Sequence, residues 1–495
     1  MTAEQVDLIF QNHENFLAIQ KEKNALIIDL NKKNFSLYKI PKLYLENYVS
    51  GIALGLRLYY VFSHKNENKN EDEPIIFTFS ELLNTDLPFT NQTTITFRSP
   101  QNNMIMHNFL SGEIGRKFLE IKINAVIITG KSDKPLDITI SREYVKFYKS
   151  KISYPVNTNN IINNYGTDVI VSGSKAPFSS CFYNHELSGR GSLGLVFYNK
   201  NLGLIKFNIH KINFEKNEIS KDLTDKLDKN KDYKNYLKAG TSVFLKDALI
   251  RGWAPISNFK FRYDPRLLYL SAEEIIRKFD TIKNPFPDFT ALLMLGSNLE
   301  IFNLSTVMES YKKCLEYAVD PVSTGINDNS ITTKYKINNL ECGPFDYRGA
   351  NEQGILNAFG FFIPLYRSLL NKNKFKYSSL PVLLHEYAFE MGLQCLGIDN
   401  KINAFISNKK DILPALSIFT NKQIYSNQIV HLGKRYIYLF YQTEILEKKT
   451  KTYIPDYFTL YSKSNHKEPS VFKANTLIPE FKELLNNIWR NNYGN

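Results

Sequence analysis

The stretch ELSGRGSLGLVFYNKNLGLIKF, Glu186 to Phe207, carries G-x-G-x-x-G-x-V at Gly189, Gly191, Gly194 and Val196, with Lys206 in a second apolar run. How LVFY is read decides the fold of the middle of the chain. A strand there makes the segment a hairpin, with the glycines and then Asn199 to Asn201 as its turns. A helix there would put the glycines at a strand-to-helix junction, where a dinucleotide fold binds pyrophosphate on the helix amides. Val196, Phe197 and Tyr198 favour the strand, so the predicted form is a glycine-turned hairpin.

The same glycines locally resemble the glycine-rich loop of protein kinases. That resemblance implies Lys206 as the phosphate lysine, with Glu215 or Glu218 as its helix partner. The remaining kinase parts are missing. GIDNKINAFI offers Asp399, Lys401 and Asn403 but no histidine, and PDFT at Asp288 precedes it in the wrong order. Phosphoryl transfer needs carboxylates to hold magnesium and orient the hydroxyl, which glycines do not supply.

Other motifs fall short on spacing. AVIITGKSDKP has Gly130, Lys131 and Ser132 of a P-loop, but Ala125 stands at the first glycine and Pro135 disfavours the helix, so a strand and tight turn are expected. In LLHEYAFEMG the second zinc ligand would be Phe389, and Glu386 and Glu390 are expected on a solvated helix side. CFYNHELSG, with Cys181 and His185, is no better. No G-x-S-x-G occurs, the eight histidines do not pair at ligand spacing, and Cys181, Cys314, Cys342 and Cys395 form no C-x-x-C. No catalytic residue, cofactor site or metal site is therefore assigned.

Composition bounds the class. Over 495 residues, 43% hydrophobic and 14% aromatic content predicts a folded, β-containing protein of more than one domain. The formal charge of +13 would attract phosphates or acidic surfaces if clustered, although lysine far outnumbers arginine and a solvated lysine surface accounts for the same charge. The N-terminus lacks a signal-peptide pattern, and no uninterrupted apolar run reaches the roughly 18 residues needed to span a bilayer. A soluble, intracellular protein without membrane insertion is expected.

Along the chain, YVSGIALGLRLYYVF suits a buried strand or helix equally, and the polar break Ser63 to Pro74 marks a boundary. Strand-like runs then dominate from Thr93 to Phe214, among them FLEIKINAVIITG and LDITISREYVKFY. A charge-dense insertion, Glu215 to Gly240, follows. Beyond it, SAEEIIRKF opens with Ser271 and Glu274 in capping-box spacing. STVMESYKKCLEYAV, EQGILNAFGFF and IPEFKELLNNIWRNN are helical, while ITTKYKI and KRYIYLFYQTEI are strand-like. No internal repeat of about 20 to 50 residues is visible.

These observations predict an α+β protein. Its parts are a mixed segment over 1–74, a β-rich antiparallel sandwich- or barrel-like domain over 75–214, the charged insertion over 215–240, and a more helical α+β domain over 241–495. Aromatic residues interleave with basic ones in REYVKFYKSK, KFRYDPR, GKRYIYLFY and WRNNYGN, a combination that suits single-stranded nucleic acid. The candidate contacts are Arg142, Lys146, Lys149, Lys260, Arg262, Arg266, Lys434, Arg435 and Arg490. The functional expectation is a non-enzymatic, self-assembling capsid- or nucleoprotein-like subunit of viral type, homo-oligomeric, contacting nucleic acid and present in virions. The alternative is a kinase-like phosphotransferase using Gly189 to Gly194 and Lys206.

Overall fold

The computed structural model describes residues 23–63, 73–174, 179–209, 218–283, 285–326, 336–337, 340–341, 343–366, 380–448, 452 and 474–487. Twelve strands carry the middle of the chain: β1 (Asn24–Asp29), β2 (Asn34–Lys39), β3 (Ile75–Thr78), β4 (Gln92–Arg98), β5 (Ile105–Ser111), β6 (Ile123–Thr129), β7 (Leu136–Ser141), β8 (Val145–Lys149), β9 (Val169–Ser172), β10 (Cys181–Tyr183), β11 (Glu186–Ser188) and β12 (Leu202–Asn208). Helices used below are α1 (Gly51–Ser63), α2 (Ile114–Glu120), α3 (Leu193–Asn199), α4 (Leu245–Arg251), α5 (Ala272–Phe279), α6 (Leu304–Tyr317), α7 (Asn351–Ala358), α8 (Leu380–Leu396) and α9 (Ser426–Phe440).

The strands form two six-stranded sheets, in the orders β2-β1-β6-β3-β4-β5 and β8-β7-β12-β9-β10-β11. In each sheet one pair is parallel, β1 with β6 and β12 with β7, and the others are antiparallel. The α+β class holds. The antiparallel sandwich or barrel does not, because each sheet is mixed and open at both ends. Burial explains why alternation misleads here: in β6, INAVIIT, six of the seven residues are buried, so it reads as a continuous apolar run. Sheet 1 also draws β1 and β2 from before Pro74 and its other strands from after it.

The two sheets repeat one topology. A hairpin (β1–β2; β7–β8) is followed by three antiparallel strands, a helix (α2; α3), and a last strand inserted parallel to the first. The repeat is written in the sequence as well: Leu110, Ser111 and Gly112 end β5, and Leu187, Ser188 and Gly189 end β11. Edges β5 and β11 lie against each other. Ser188 Oγ donates to Phe109 O at 3.3 Å, Ser111 N to Glu186 Oε2 at 3.1 Å, and Asn108 Nδ2 to Arg190 O at 3.1 Å.

The glycine stretch is therefore no hairpin. After β11 the chain turns through Gly191 and Ser192, both left-handed with φ of 75° and 62°, and LGLVFYN coils as α3. Leu193, Val196 and Phe197, at i, i+3 and i+4, bury one helix face, which outweighs the β-preference of those residues. Gly194 is required by contact: a Cβ there would stand 2.3 Å from Ser179 Oγ and 2.5 Å from Ser180 O.

The chain divides into two compact units, unit 1 comprising Met1–Asp225 and Leu384–Thr450, and unit 2 Lys226–Leu383 and Lys451–Asn495. In unit 1, α1 is apolar all round and eleven of its residues are buried, so it is a core helix rather than a strand. Its Gly55 lets it close on β4, since a Cβ would come within 2.4 Å of Thr96 Oγ1. KRYIYLFYQTEI, expected as a strand, is the end of α9 and a π-helical turn, Tyr441–Glu447. There Gly433 meets α8 backbone to backbone, where a Cβ would lie 1.7 Å from Ala388 O.

Unit 2 is helical. Trp253, Phe289 and Phe345 form a buried ring cluster, with Trp253 and Phe345 centroids 5.3 Å apart. Beside Trp253, whose carbonyl accepts from Asp346 N, Arg348 grips Asp346 with Nε at 2.9 Å and Nη2 at 2.6 Å. α5 begins after Ser271 as predicted, although the Ser271 side chain makes no cap bond to the first-turn amides. Of ITTKYKI, only Lys336 and Ile337 lie within the described residues. Among the described residues no single helix is long and apolar enough to cross a membrane.

Candidate functional site

Three places in unit 1 and one in unit 2 bring polar side chains together in buried surroundings. The first is the joint between the sheets, at Gly189 to Ser192. Two of its amides are spent within the chain, Ser192 N on Gly189 O and Gly194 N on Ser179 O, and are not free for a phosphate cradle. α3 is also too short to build one. Yet Ser192 Oγ and Ser180 Oγ are buried there without hydrogen-bond partners among the described residues. Lys206 lies three strands in from β11, on β12, opposite Thr139 and Val169, which is a sheet surface and not a phosphate site.

The second place is a charged seam between sheet 1 and the end of α9. Glu444, fully buried on the π-helical turn, accepts from Tyr60 Oη at 2.6 Å, Arg98 Nη1 at 3.1 Å, Arg98 Nη2 at 3.2 Å and Ile105 N at 3.2 Å. Lys448 Nζ pairs with it at 2.9 Å, and Arg98 Nε reaches Glu73 at 3.1 Å. Burial raises the Glu444 carboxyl, but Arg98 and Lys448 more than offset this and hold it below the ordinary range. Next to Arg98 on the same face, His107 Nδ1 meets Thr96 Oγ1 at 2.9 Å and its Nε2 has no partner. Burial pushes that imidazole down to about 3, so it is neutral at any working pH. With its acceptor capacity filled, Glu444 acts as a clamp rather than as an acid or base.

A second buried chain runs from Gln92 through Gln394 and Asn400 to Glu390, with bonds of 2.8, 2.8 and 2.7 Å. Glu390, expected in solvent, is thus buried. Its partner sits beyond the helix end, where helical spacing gives no hint of it. Glu386, also expected in solvent, is only 15% exposed and pairs with Lys409 at 2.7 Å.

In unit 2 the perturbed group is Glu352, in the first turn of α7. Burial pushes its carboxyl up to about 7, against its own backbone amide and Arg251 on α4, so it exchanges a proton near neutrality. No motif marks it in the sequence, because its environment is assembled from separate helices.

The residues expected to contact nucleic acid do not share one surface character. Arg142, Lys146 and Lys149 are exposed on or beside edge strand β8. Lys260 is exposed, but Arg262 is buried and donates to Arg348 O at 3.3 Å, and Arg266 is held by Asp264 at 2.6 Å. Lys434 is half-buried and Arg435 buried on α9. Arg490 lies outside the described residues.

The edge-to-edge pair of duplicated sheets ends at Asn208, and there the relation to known proteins is clearest. Residues 25–208 match the aldehyde ferredoxin oxidoreductase N-terminal domain. The match runs from β1 to the last residue of β12 and so takes in both sheets. The chain is 22% identical over 315 residues to the tungsten-containing aldehyde ferredoxin oxidoreductase of Pyrococcus furiosus, covering 55% of this chain and 52% of that protein. It is 24% identical over 313 residues to the protein of the same description from Pyrococcus horikoshii, with the same shares covered. The chain thus spans about half the length of the curated relatives it matches. Among solved structures, the active site complex BamBC of benzoyl coenzyme A reductase, in complex with 1,5-dienoyl-CoA, superposes with a TM-score of 0.68 at 12% identity. That likeness covers 96% of this chain and 97% of that one, and it is a likeness of fold.

The proteins that this chain resembles are oxidoreductases. These similarities overturn the expected non-enzymatic shell or nucleoprotein subunit of viral type, its place in a virion, and the kinase-like alternative. The tungsten in the relatives' name finds no protein-derived ligand set here, since among the described residues no three His, Cys, Asp or Glu side chains converge on a metal position. Cys181, Cys314 and Cys395 are free and buried.

Proposed function

We propose that this chain is an oxidoreductase that converts an aldehyde to the carboxylic acid and passes the electrons to a one-electron carrier. The observation that carries this reading is the match of residues 25–208, which embraces the whole duplicated pair of sheets. In balance, aldehyde and water give the acid, two protons and two electrons. The chain's own contribution is binding, for which the orphaned Ser180 and Ser192 hydroxyls offer polar contacts at the joint of unit 1.

The test is anaerobic, aldehyde-dependent reduction of benzyl viologen by protein produced with tungstate or molybdate. Metal content is measured on the same sample by mass spectrometry. Dye reduction that needs both aldehyde and native protein is the expected result. A metal-loaded, folded preparation that reduces no dye with short aliphatic or aromatic aldehydes overturns the reading.

A further inference from the structure

Edge strand β8 carries a surface that the oxidoreductase reading does not use. Tyr144, Lys146 and Tyr148 follow one another on one face, with Lys146 Nζ 4.4 Å from the Tyr144 ring centroid. In register beside them, Thr139 of β7 stands between Lys146 and Lys206 of β12, so the two lysines share a row across the sheet. Arg142, Lys149 and Lys151 are exposed around this row, and Glu143 is the acidic residue among them. None of these five cations pairs with a described carboxylate.

The backbone of β8 is open as well. Ser141 N donates to Tyr144 O and Ser150 N to Pro135 O, so the even-numbered residues face β7. The N–H and C=O groups of Val145, Phe147 and Lys149 therefore point outward, beyond the last strand of the sheet. A row of free main-chain groups is a template for another strand, and the charge around it selects which strand. A second copy of β8 would set lysine against lysine, which is repulsive. A nucleic acid would use the charges but leave the main-chain groups unpaired.

We propose that β8 docks an extended acidic segment of a partner protein, which adds as a strand while its carboxylates meet Lys146 on one face of the sheet and Lys149 on the other. The probe is a fluorescein-labelled ten-residue peptide repeating Glu-Glu-Val-Val, which puts carboxylates on both faces of a strand, titrated with the full chain and followed by anisotropy. Binding is expected to weaken at least tenfold in Lys146→Glu/Lys149→Glu and less in Lys146→Gln/Lys149→Gln. It should persist in Lys32→Glu/Lys33→Glu beside the opposite edge. A peptide N-methylated on alternate amides should lose binding, which a purely electrostatic contact would not. Unchanged affinity in the charge-reversed variant, equal binding of the N-methylated peptide, no binding at millimolar peptide, or tighter binding of a DNA oligonucleotide or of anionic vesicles at the same salt would each overturn the proposal. Circular dichroism of each variant confirms its fold, which surface substitutions should leave intact.

Discussion

Glu444→Gln tests the seam most directly, because glutamine keeps the shape and removes only the charge. In the wild type, one buried carboxylate balances Arg98 and Lys448, with Glu73 as the other anion. The variant leaves two cations facing one carboxylate and sets an amide N–H₂ against cationic donors. Breaking one side of a buried pair costs about 3–5 kcal/mol. For a unit of this size that is roughly 2 °C per kcal/mol, so about 6–10 °C of Tm at pH 7. The pH dependence has a fixed sign. Glu444 titrates lower in the folded than in the unfolded chain, so its contribution is present above the unfolded value of about 4.3 and is lost as pH falls through the folded one. The gap between wild type and variant should be constant from about pH 6 to 8 and close below about pH 4. Calorimetry measures the gap, and tryptophan fluorescence supplies a control, since Trp253 is buried in unit 2. A variant within 2 °C of wild type at pH 7, or a gap unchanged down to about pH 3, would refute the reasoning.

Three further outcomes are expected. Gly194→Ala must displace Ser179 or Ser180, whose atoms would lie 2.3 and 2.5 Å from the new methyl, and should lower stability by about 1–3 kcal/mol in denaturant unfolding. Glu352 titrates higher folded than unfolded, so its ionisation weakens the fold as pH rises from about 4.3 towards 7; Glu352→Gln should come nearest to wild type at about pH 4 and melt above it at about pH 8. Burial raises the thiols of Cys181 and Cys395, and that of Cys314 to about 11, so peptide mapping should find all three unlabelled by dithionitrobenzoate in the native protein and labelled in guanidinium.

What the sequence told and withheld follows from local against assembled causes. The α+β class and strands such as INAVIIT were legible, because long apolar runs bounded by polar turns mean strand wherever they pack. LVFY and KRYIYLFY were misread. Both are rich in β-favouring residues, and both are helical because tertiary burial outweighs propensities worth tenths of a kcal/mol per residue. The seam was invisible, since Arg98 and Glu444 meet across hundreds of residues and neither sits in a spaced motif. Ser180, Ser192 and Glu352 were missed for the same reason. The duplication did leave a trace, Leu-Ser-Gly at Leu110 and again at Leu187, but over a longer interval than the short repeats of a solenoid.

That duplication also explains where the exposed edges are. The equivalent strands β5 and β11 cover each other, so the other equivalent pair, β2 and β8, is left at the outer ends of the two sheets. Topologically equivalent edges face the same hazard of unwanted pairing, and the two answer it differently. On β2, Phe35 and Leu37 are exposed at 44% and 68%, an apolar edge flanked by Lys33 and Lys39. On β8 the exposed positions are lysines and tyrosines, which repel a second copy and attract acid. If edge lysines served only to block pairing, both edges would need them equally. Their concentration on β8, in line with Lys206 two strands further in, is the asymmetry that a selective partner requires.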